Sequence, residues 1–316
     1  MVSYMQKIFI KVFFIAGIKY KELSMGAKID GLLAAALGDA MPGFGSFSSN
    51  KSVQLVDRIS SASEVFPQRP ELDSVVDKWR NVFKGSPQEY YNLLNRFMPE
   101  FVVYSMQTDK HECNRTVVEP VFCNGQVNFT GFPYQLTQIS NHRRAFIQTF
   151  NDVLMKTPMS RDLICKYHLL LEQGCLSDID YERGECPGCF KKEPHWCDEH
   201  GYVGSVPGDV ERDIKNLLKD VNSVNTRTTN EKIALVSYFH CRLESIQPFY
   251  TANGRVGRML MNLMLMQYDM PPVLIEDWNL MPYLGALHNF DKNGDFIGFM
   301  RWVTDAMVKS ARYINM

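Results

Sequence analysis

Apolar residues recur at three-to-four spacing through most of the chain, the period of helices that bury one face. The segments ELDSVVDKWRNVF (71–83), PQEYYNLLNRFMPEFVVYSM (87–106), NHRRAFIQTFNDVLM (141–155) and SRDLICKYHLLLEQG (160–174) all follow it. Ser160 is placed to cap the last of these and Gly174 to stop it. Further helices are predicted over 209–224, 230–246 and 255–270, the third ended by Pro271-Pro272. A last one covers roughly 294–314. Around Asn124-Gly125 the pattern changes to β-branched and aromatic residues, VFCNGQVNFTG (121–131), which predicts a short hairpin. Residues 175–207 read as loop, and no internal repeat occurs. The predicted class is mainly α with a small β element.

The first 70 residues differ in character. IFIKVFFIAGI near the N-terminus is apolar, but Lys11 interrupts it and no small-residue cleavage site follows. Within 28–47, GLLAAALGDAMPGFGSF resembles the opening helix of ADP-ribosylglycohydrolases. None of that family's later paired-Asp motifs follows, and the stretch reads as a buried small-residue helix with a glycine stop. Residues 48–70 are polar, with Ser and Pro, and read as linker or loop. The expected organisation is an extension and linker over 1–70 and one main domain over 71–316.

Composition narrows the classes. The 316 residues are 45% hydrophobic and 22% charged, globular proportions. With 34 Lys+Arg against 35 Asp+Glu, no broad attraction to nucleic acid or anionic membrane is expected. Eight cysteines are too sparse for a disulfide scaffold, so reduced thiols and a cytoplasmic location are expected.

The chemistry concentrates in HCRLESIQPFYTANGRVGRMLMNLML (240–265). A helix ends near Ile246, Pro248 prevents its continuation, and Thr251-Ala252-Asn253-Gly254 form a small-residue loop. Arg255 then opens the next helix. Such a loop presents backbone N–H groups and a positive helix end to an anion. Arg255 and Arg258, three residues apart, lie on roughly one side of that first turn.

These residues resemble the signature of Fic (Fido) domains, I-H-P-F-x-D/E-G-N-G-R-x-x-R, at Ile246, Pro248, Phe249, Asn253, Gly254, Arg255 and Arg258. The similarity extends over about 71–312 and implies a Fic-type helical core with a small β-hairpin flap. It also implies AMP transfer from ATP, with Mg²⁺, to a hydroxyl of a target protein. By that resemblance Asn253, Gly254, Arg255 and Arg258 hold the nucleotide's phosphates, and a homodimer is the oligomer to look for.

Two positions depart from the pattern. Gln247 stands where the family has its catalytic His, and Gln has no group that titrates near neutrality. General-base help is worth about 10²–10⁴-fold, so transfer is expected to be impaired. The alternative is a catalytically inactive Fic fold that senses nucleotide or binds protein. Thr251 replaces the acidic Mg²⁺ ligand and brings a hydroxyl without charge. Many members also carry an inhibitory motif, S/T-x-x-x-E-G/N, whose Glu pairs with the last signature Arg. The matching stretch here runs from Ser105 to Lys110, with Asp109 in the place of the Glu.

CPGCFKKEPHWCDEH (186–200) adds a candidate zinc site: Cys186-x2-Cys189, then Cys197-x2-His200, with His195 as a spare ligand. His240, nearly two turns before Gln247, reads as a core histidine rather than a substitute base. Asp291–Asp295 mimics the start of a calcium loop but lacks its Gly and Glu.

Overall fold

Two helices joined through residues 247–252 lie at the centre of the fold. The computed structural model describes residues 55–83, 86–122, 133–197 and 201–314. In chain order these are α1 (Leu55–Val65), α2 (Pro70–Phe83), α3 (Pro87–Thr108), α4 (Arg115–Phe122), α5 (Pro133–Leu154), α6 (Arg161–Glu172) and α7 (Asp178–Glu182). A strand pair follows, β1 (His195–Cys197) and β2 (Gly201–Val203), then α8 (Val210–Asn222), α9 (Thr229–Ile246), α10 (Asn253–Gln267), α11 (Asp277–Asn293) and α12 (Ile297–Ser310). The architecture is mainly α, as the periodicity predicts.

α9 and α10 are apolar nearly all round, and such helices belong at the centre of a domain. In α9 every residue from Ile233 to Cys241 is buried, and in α10 every residue from Arg255 to Met266. The two pack on each other. α5 and α6 lie against α10, while α12, α1 and α8 lie against α9. α9 begins in a capping box: Thr228 accepts the Glu231 N–H, and the Glu231 carboxylate accepts the Thr228 N–H. Ser160 caps α6 through the Leu163 N–H at 3.2 Å, and Gly174 follows it at φ 75°. The stretch after α10 is tied back by Asn262, whose amide accepts from Val273 N and donates to Val273 O.

The structure corrects several expectations. Residues 55–65 form a helix instead of linker, because Leu55, Ile59 and Ala62 share one buried face that the intervening serines disguise. The Arg58 guanidinium lies over the rings of Tyr238 and Phe296, 5.7 and 5.3 Å from their centroids. Val121 and Phe122 end α4 rather than opening a hairpin, and 123–131 lie outside the described residues. Within 175–207 lie α7 and the strand pair, with Trp196 opposite Tyr202 in an antiparallel ladder. α11 goes unread in the sequence because Pro282 breaks the pattern, yet the helix runs through that proline in its second turn. The readings for the N-terminal apolar segment and for 28–47 lie outside the described residues. None of the described helices is long and apolar enough to cross a membrane.

Candidate functional site

The connection between α9 and α10 is a left-handed exit, a short loop and a left-handed entry. Gln247 caps α9 at φ 48°, ψ 62°, and Ala252 precedes α10 at φ 59°, ψ 16°. Two non-glycine residues in this region mark a backbone held by its surroundings. Asn253 supplies one restraint: its side-chain oxygen accepts the Phe249 N–H and its amide donates to Phe249 O, both at 2.8 Å. The loops on either side of the strand pair supply others. Lys191 N–H donates to Pro248 O at 3.0 Å, and Ser205 N–H donates to Ile246 O at 2.9 Å. Gly204, at φ 79°, passes so close that a Cβ there would meet the Gln247 Cβ at 2.6 Å. The His168 ring stacks on Phe249 with centroids 3.9 Å apart, and its Nδ1 accepts the Gly188 N–H at 2.9 Å. Burial, followed by the Arg255 charge, pushes His168 down to about 3, so the ring is neutral and able to accept.

Beyond Ala252 the restraints become ionic. Among the described residues no side chain caps the N-terminus of α10, whose first N–H groups face the loop side. The Asp109 carboxylate sits over that turn. Its Oδ1 accepts from Arg258 Nη2 at 2.7 Å, and its Oδ2 accepts from Arg255 Nε at 3.0 Å. Gly254 makes room for this: a Cβ there would lie 2.6 Å from Arg258 Nη1 and 3.1 Å from Asp109 Oδ1. Arg258 also donates to Ser105 Oγ at 3.0 Å and Ser105 O at 2.7 Å. Burial pushes the Asp109 carboxyl up, but Arg258 and Arg255 together outweigh burial and hold it below the usual carboxylate range. Asp109 is the C-cap of α3, a position where the helix dipole disfavours a carboxylate. The arginines therefore supply what holds it. Lys110, directly after it, adopts φ 62°, the conformation that turns the chain away from α3.

Periodicity gave no hint of Glu172. It ends α6, is 1% exposed, and its Oε1 lies 2.8 Å from Arg255 Nη1. The one available signal is a charged residue closing the run Leu169-Leu170-Leu171. Glu244 is a second buried acid. Its Oε1 fills the space that a Cβ at Gly257 would take, and burial, opposed by Arg258, pushes it up to about 7. His240 is fully buried, bonds the Tyr283 hydroxyl through Nε2 at 2.9 Å and stacks on Phe299. Burial pushes it down to about 3, so it is a core histidine, as expected.

Neither metal reading gains a donor set. Cys186 and Cys189 are bonded to each other as a disulfide, which removes both thiolates from the candidate zinc set and corrects the expectation of reduced thiols there. The Cys197 side chain and His200 lie outside what the structure describes. Among the described residues no group of three or more His, Cys, Asp or Glu is placed to hold a metal ion. Thr251, half-buried in the loop, offers a hydroxyl without charge, so the residues present do not fit a protein-held Mg²⁺. The calcium-like stretch is a helix end: α11 runs to Asn293, and Gly294 caps it at φ 69°.

The helical core thus brings together the start of α10, two arginines and a carboxylate lying across them. Residues 158–265 match the model of the Fic/DOC family. The protein adenylyltransferase Fic of Drosophila melanogaster is 28% identical over 149 residues, 47% of this chain and 29% of that protein. That of Drosophila persimilis is 31% identical over 110 residues, 35% of this chain and 21% of that protein. The chain thus spans less than a third of the length of these curated relatives. Among solved structures, a Fic domain-containing signaling protein from Bacteroides thetaiotaomicron superposes with a TM-score of 0.65 at 16% identity, covering 78% of this chain and 96% of that one. Fic-1 of C. elegans gives a TM-score of 0.62 at 18% identity, covering 82% and 74%. The similarity to the Fic/DOC family over 158–265 takes in the whole α9–α10 connection.

Proposed function

We propose that the chain binds ATP in the α9–α10 cradle and is a Fic-type transferase of AMP to a protein hydroxyl, held at low activity in two separate ways. The observation that carries the reading is the Asp109 carboxylate seated across Arg255 and Arg258 at the start of α10. A carboxylate in that place does what a phosphate would do: it accepts from both guanidinium groups over a positive helix end. ATP and Asp109 therefore compete for one anion position. The second restraint is Gln247, which can orient a hydroxyl but cannot take its proton. The relatives named adenylyltransferase give the reaction class; Thr251 and Gln247 are where this chain departs from it.

Calorimetry with ATP tests the reading. Asp109→Gly is expected to tighten binding by about tenfold or more, because closure reduces the competent fraction and so weakens apparent affinity. Arg258→Ala in the same background is expected to abolish it. Equal, weak binding by all three proteins would rule out the cradle.

A second reading, a nucleotide-sensing module without transfer, is favoured by Gln247 alone. It shares the binding prediction and parts from the first only when a base is restored.

A further inference from the structure

The chain between α7 and β1 supports the 247–252 loop, and the Cys186–Cys189 disulfide closes a turn in it. Cys189 N–H donates to Cys186 O at 3.1 Å, across that turn. Gly188 is left-handed at φ 84° and lies against α6, where a Cβ would sit 3.1 Å from Leu169 Cβ and 3.3 Å from Cys165 O. Its N–H is the one that His168 Nδ1 accepts, and the His168 ring stacks on Phe249. Just past the disulfide, Lys191 N–H holds Pro248 O, and the Phe190 ring tilts against Phe249 with centroids 5.7 Å apart. From the sulfurs to Phe249 the route is one turn, one hydrogen bond and one ring stack.

These two sulfurs differ from the other described cysteine sulfurs. Cys113, Cys165, Cys175 and Cys241 are free and buried. Burial pushes the Cys113 and Cys175 thiols up to about 12 and raises those of Cys165 and Cys241, so all four stay protonated and unreactive. Cys186 and Cys189 are only half-buried, within reach of an attacking thiolate. They stand three apart in the chain, so the bond closes a loop of four residues. Closing so short a loop is worth roughly twentyfold by chain entropy, far less than closing one of about 100 residues. Reduction therefore opens the turn and leaves the helical core folded.

We propose that Cys186–Cys189 is a reversible dithiol–disulfide site, opened by a thiol reductant of the glutathione type, and that its closed form seats the 247–252 loop for ATP. A thiolate of the reductant attacks one sulfur, forms a mixed disulfide and releases the other cysteine as a thiolate. A second reductant thiolate then displaces the bound one. Two electrons and two protons pass to Cys186 and Cys189, and the reductant leaves as its own disulfide. Opening the turn frees Gly188 from the geometry that presents its N–H to His168, which then holds Phe249 by stacking alone. The redox site stands apart from the proposed ATP cradle, and only its consequence for affinity rests on that reading. By linkage, whatever factor the closed form gains in ATP affinity, ATP returns as the same factor favouring closure.

Three measurements on the full chain test this. The native protein is equilibrated with graded ratios of reduced to oxidised glutathione, alkylated with iodoacetamide and analysed by mass spectrometry. Cys186 and Cys189 are expected to gain and lose protection together within that range, while the four buried thiols stay unlabelled. A pair bonded at every ratio, or open at every ratio, would overturn the reversible site. Hydrogen exchange on the same samples needs no nucleotide. The Gly188 and Lys191 amides are expected to exchange about tenfold faster after reduction, within the roughly twentyfold that loop closure is worth. Cys186→Ser with Cys189→Ser should match the reduced protein, and equal exchange in the two redox states would overturn the link to the loop. Last, ATP is titrated into Asp109→Gly in each redox state. Reduction is expected to weaken binding by about three- to tenfold, and ATP to shift the closure equilibrium with glutathione by the same factor. Equal affinity in both states would overturn the seating for ATP. No binding in either state would sink the cradle and that seating with it, while alkylation and exchange still judge the redox site.

Discussion

The two halves of the α9–α10 connection are held by different forces. Gln247 to Ala252 is fixed by neutral contacts: the Asn253 amide on Phe249, the His168 ring, two backbone hydrogen bonds and the close pass of Gly204. Asn253 to Arg258 is fixed by charge, through Asp109 and Glu172. The first half keeps its shape without the group that would do chemistry. The second lays the chain's own carboxylate across both arginines. Geometry and reactivity are thus separable here, because nothing that holds position 247 in place depends on the identity of its terminal group.

The largest effect that can test this separation is a restored base. Gln247→His combined with Asp109→Gly is expected to raise transfer of labelled AMP from ATP onto protein by about 10²–10⁴-fold over Asp109→Gly alone, the usual worth of general-base help. Gln247→Asn is the control, having no base. If the histidine variant gains nothing while still binding ATP, the neutral half is scaffold only, and the sensing module becomes the better reading.

Much of this was legible in the sequence, and what was not has physical causes. The helices read best where burial is one-sided, as over 160–174, since one buried face leaves a clean period. The start of α10 was legible because Pro248 and the small residues of the loop constrain the backbone directly. α1 was missed because Ser60, Ser61 and Ser63 occupy its outer face and look like linker. Glu172 was missed because spacing carries no information about a pair between residues 172 and 255; only the packing of α6 on α10 joins them. The cysteines were misread for a related reason: Cys-x2-Cys spacing suits a metal and a local disulfide alike.

Acid should act on both halves, with an effect of intermediate size. His142, His168 and His240 are pushed by burial to about 3, well under the value near 6.5 of an unfolded histidine. Groups depressed in the fold contribute stability that is present above their unfolded value and lost as pH falls toward the folded one. Glu244 and Asp291, raised by burial to about 7 and about 6, act in the opposite sense, losing their contribution as pH rises. With His111 lowered as well and Glu172 raised as well, four groups stand against three, which leaves a net loss of stability on the order of 1 kcal/mol per pH unit from about pH 6 to 4.5. Below that the unfolded carboxyls also protonate, the opposition ends and the slope steepens. Urea midpoints across pH 4–8 measure it. His240→Phe, which removes one titrating group, is expected to flatten the acid limb; an unchanged limb would mean that these rings do not carry it.

The smallest effects separate the halves by backbone alone. Ala252 at φ 59° and Lys110 at φ 62° each hold a conformation that L-residues adopt at a cost of about 1–2 kcal/mol and glycine adopts freely. Glycine also has more freedom to lose on folding, which returns part of that gain. Ala252→Gly and Lys110→Gly are each expected to stabilise the fold by about 1 kcal/mol in urea unfolding. Their functional consequences should differ. Ala252 belongs to the neutrally held half, so its glycine variant should leave ATP affinity unchanged. Lys110 follows Asp109, and relieving its strain stabilises the turn that seats this carboxylate over the arginines. Lys110→Gly should therefore weaken ATP binding slightly while raising stability, and Asp109→Gly should erase that weakening. If both glycines moved affinity together, the two halves would be one mechanical unit.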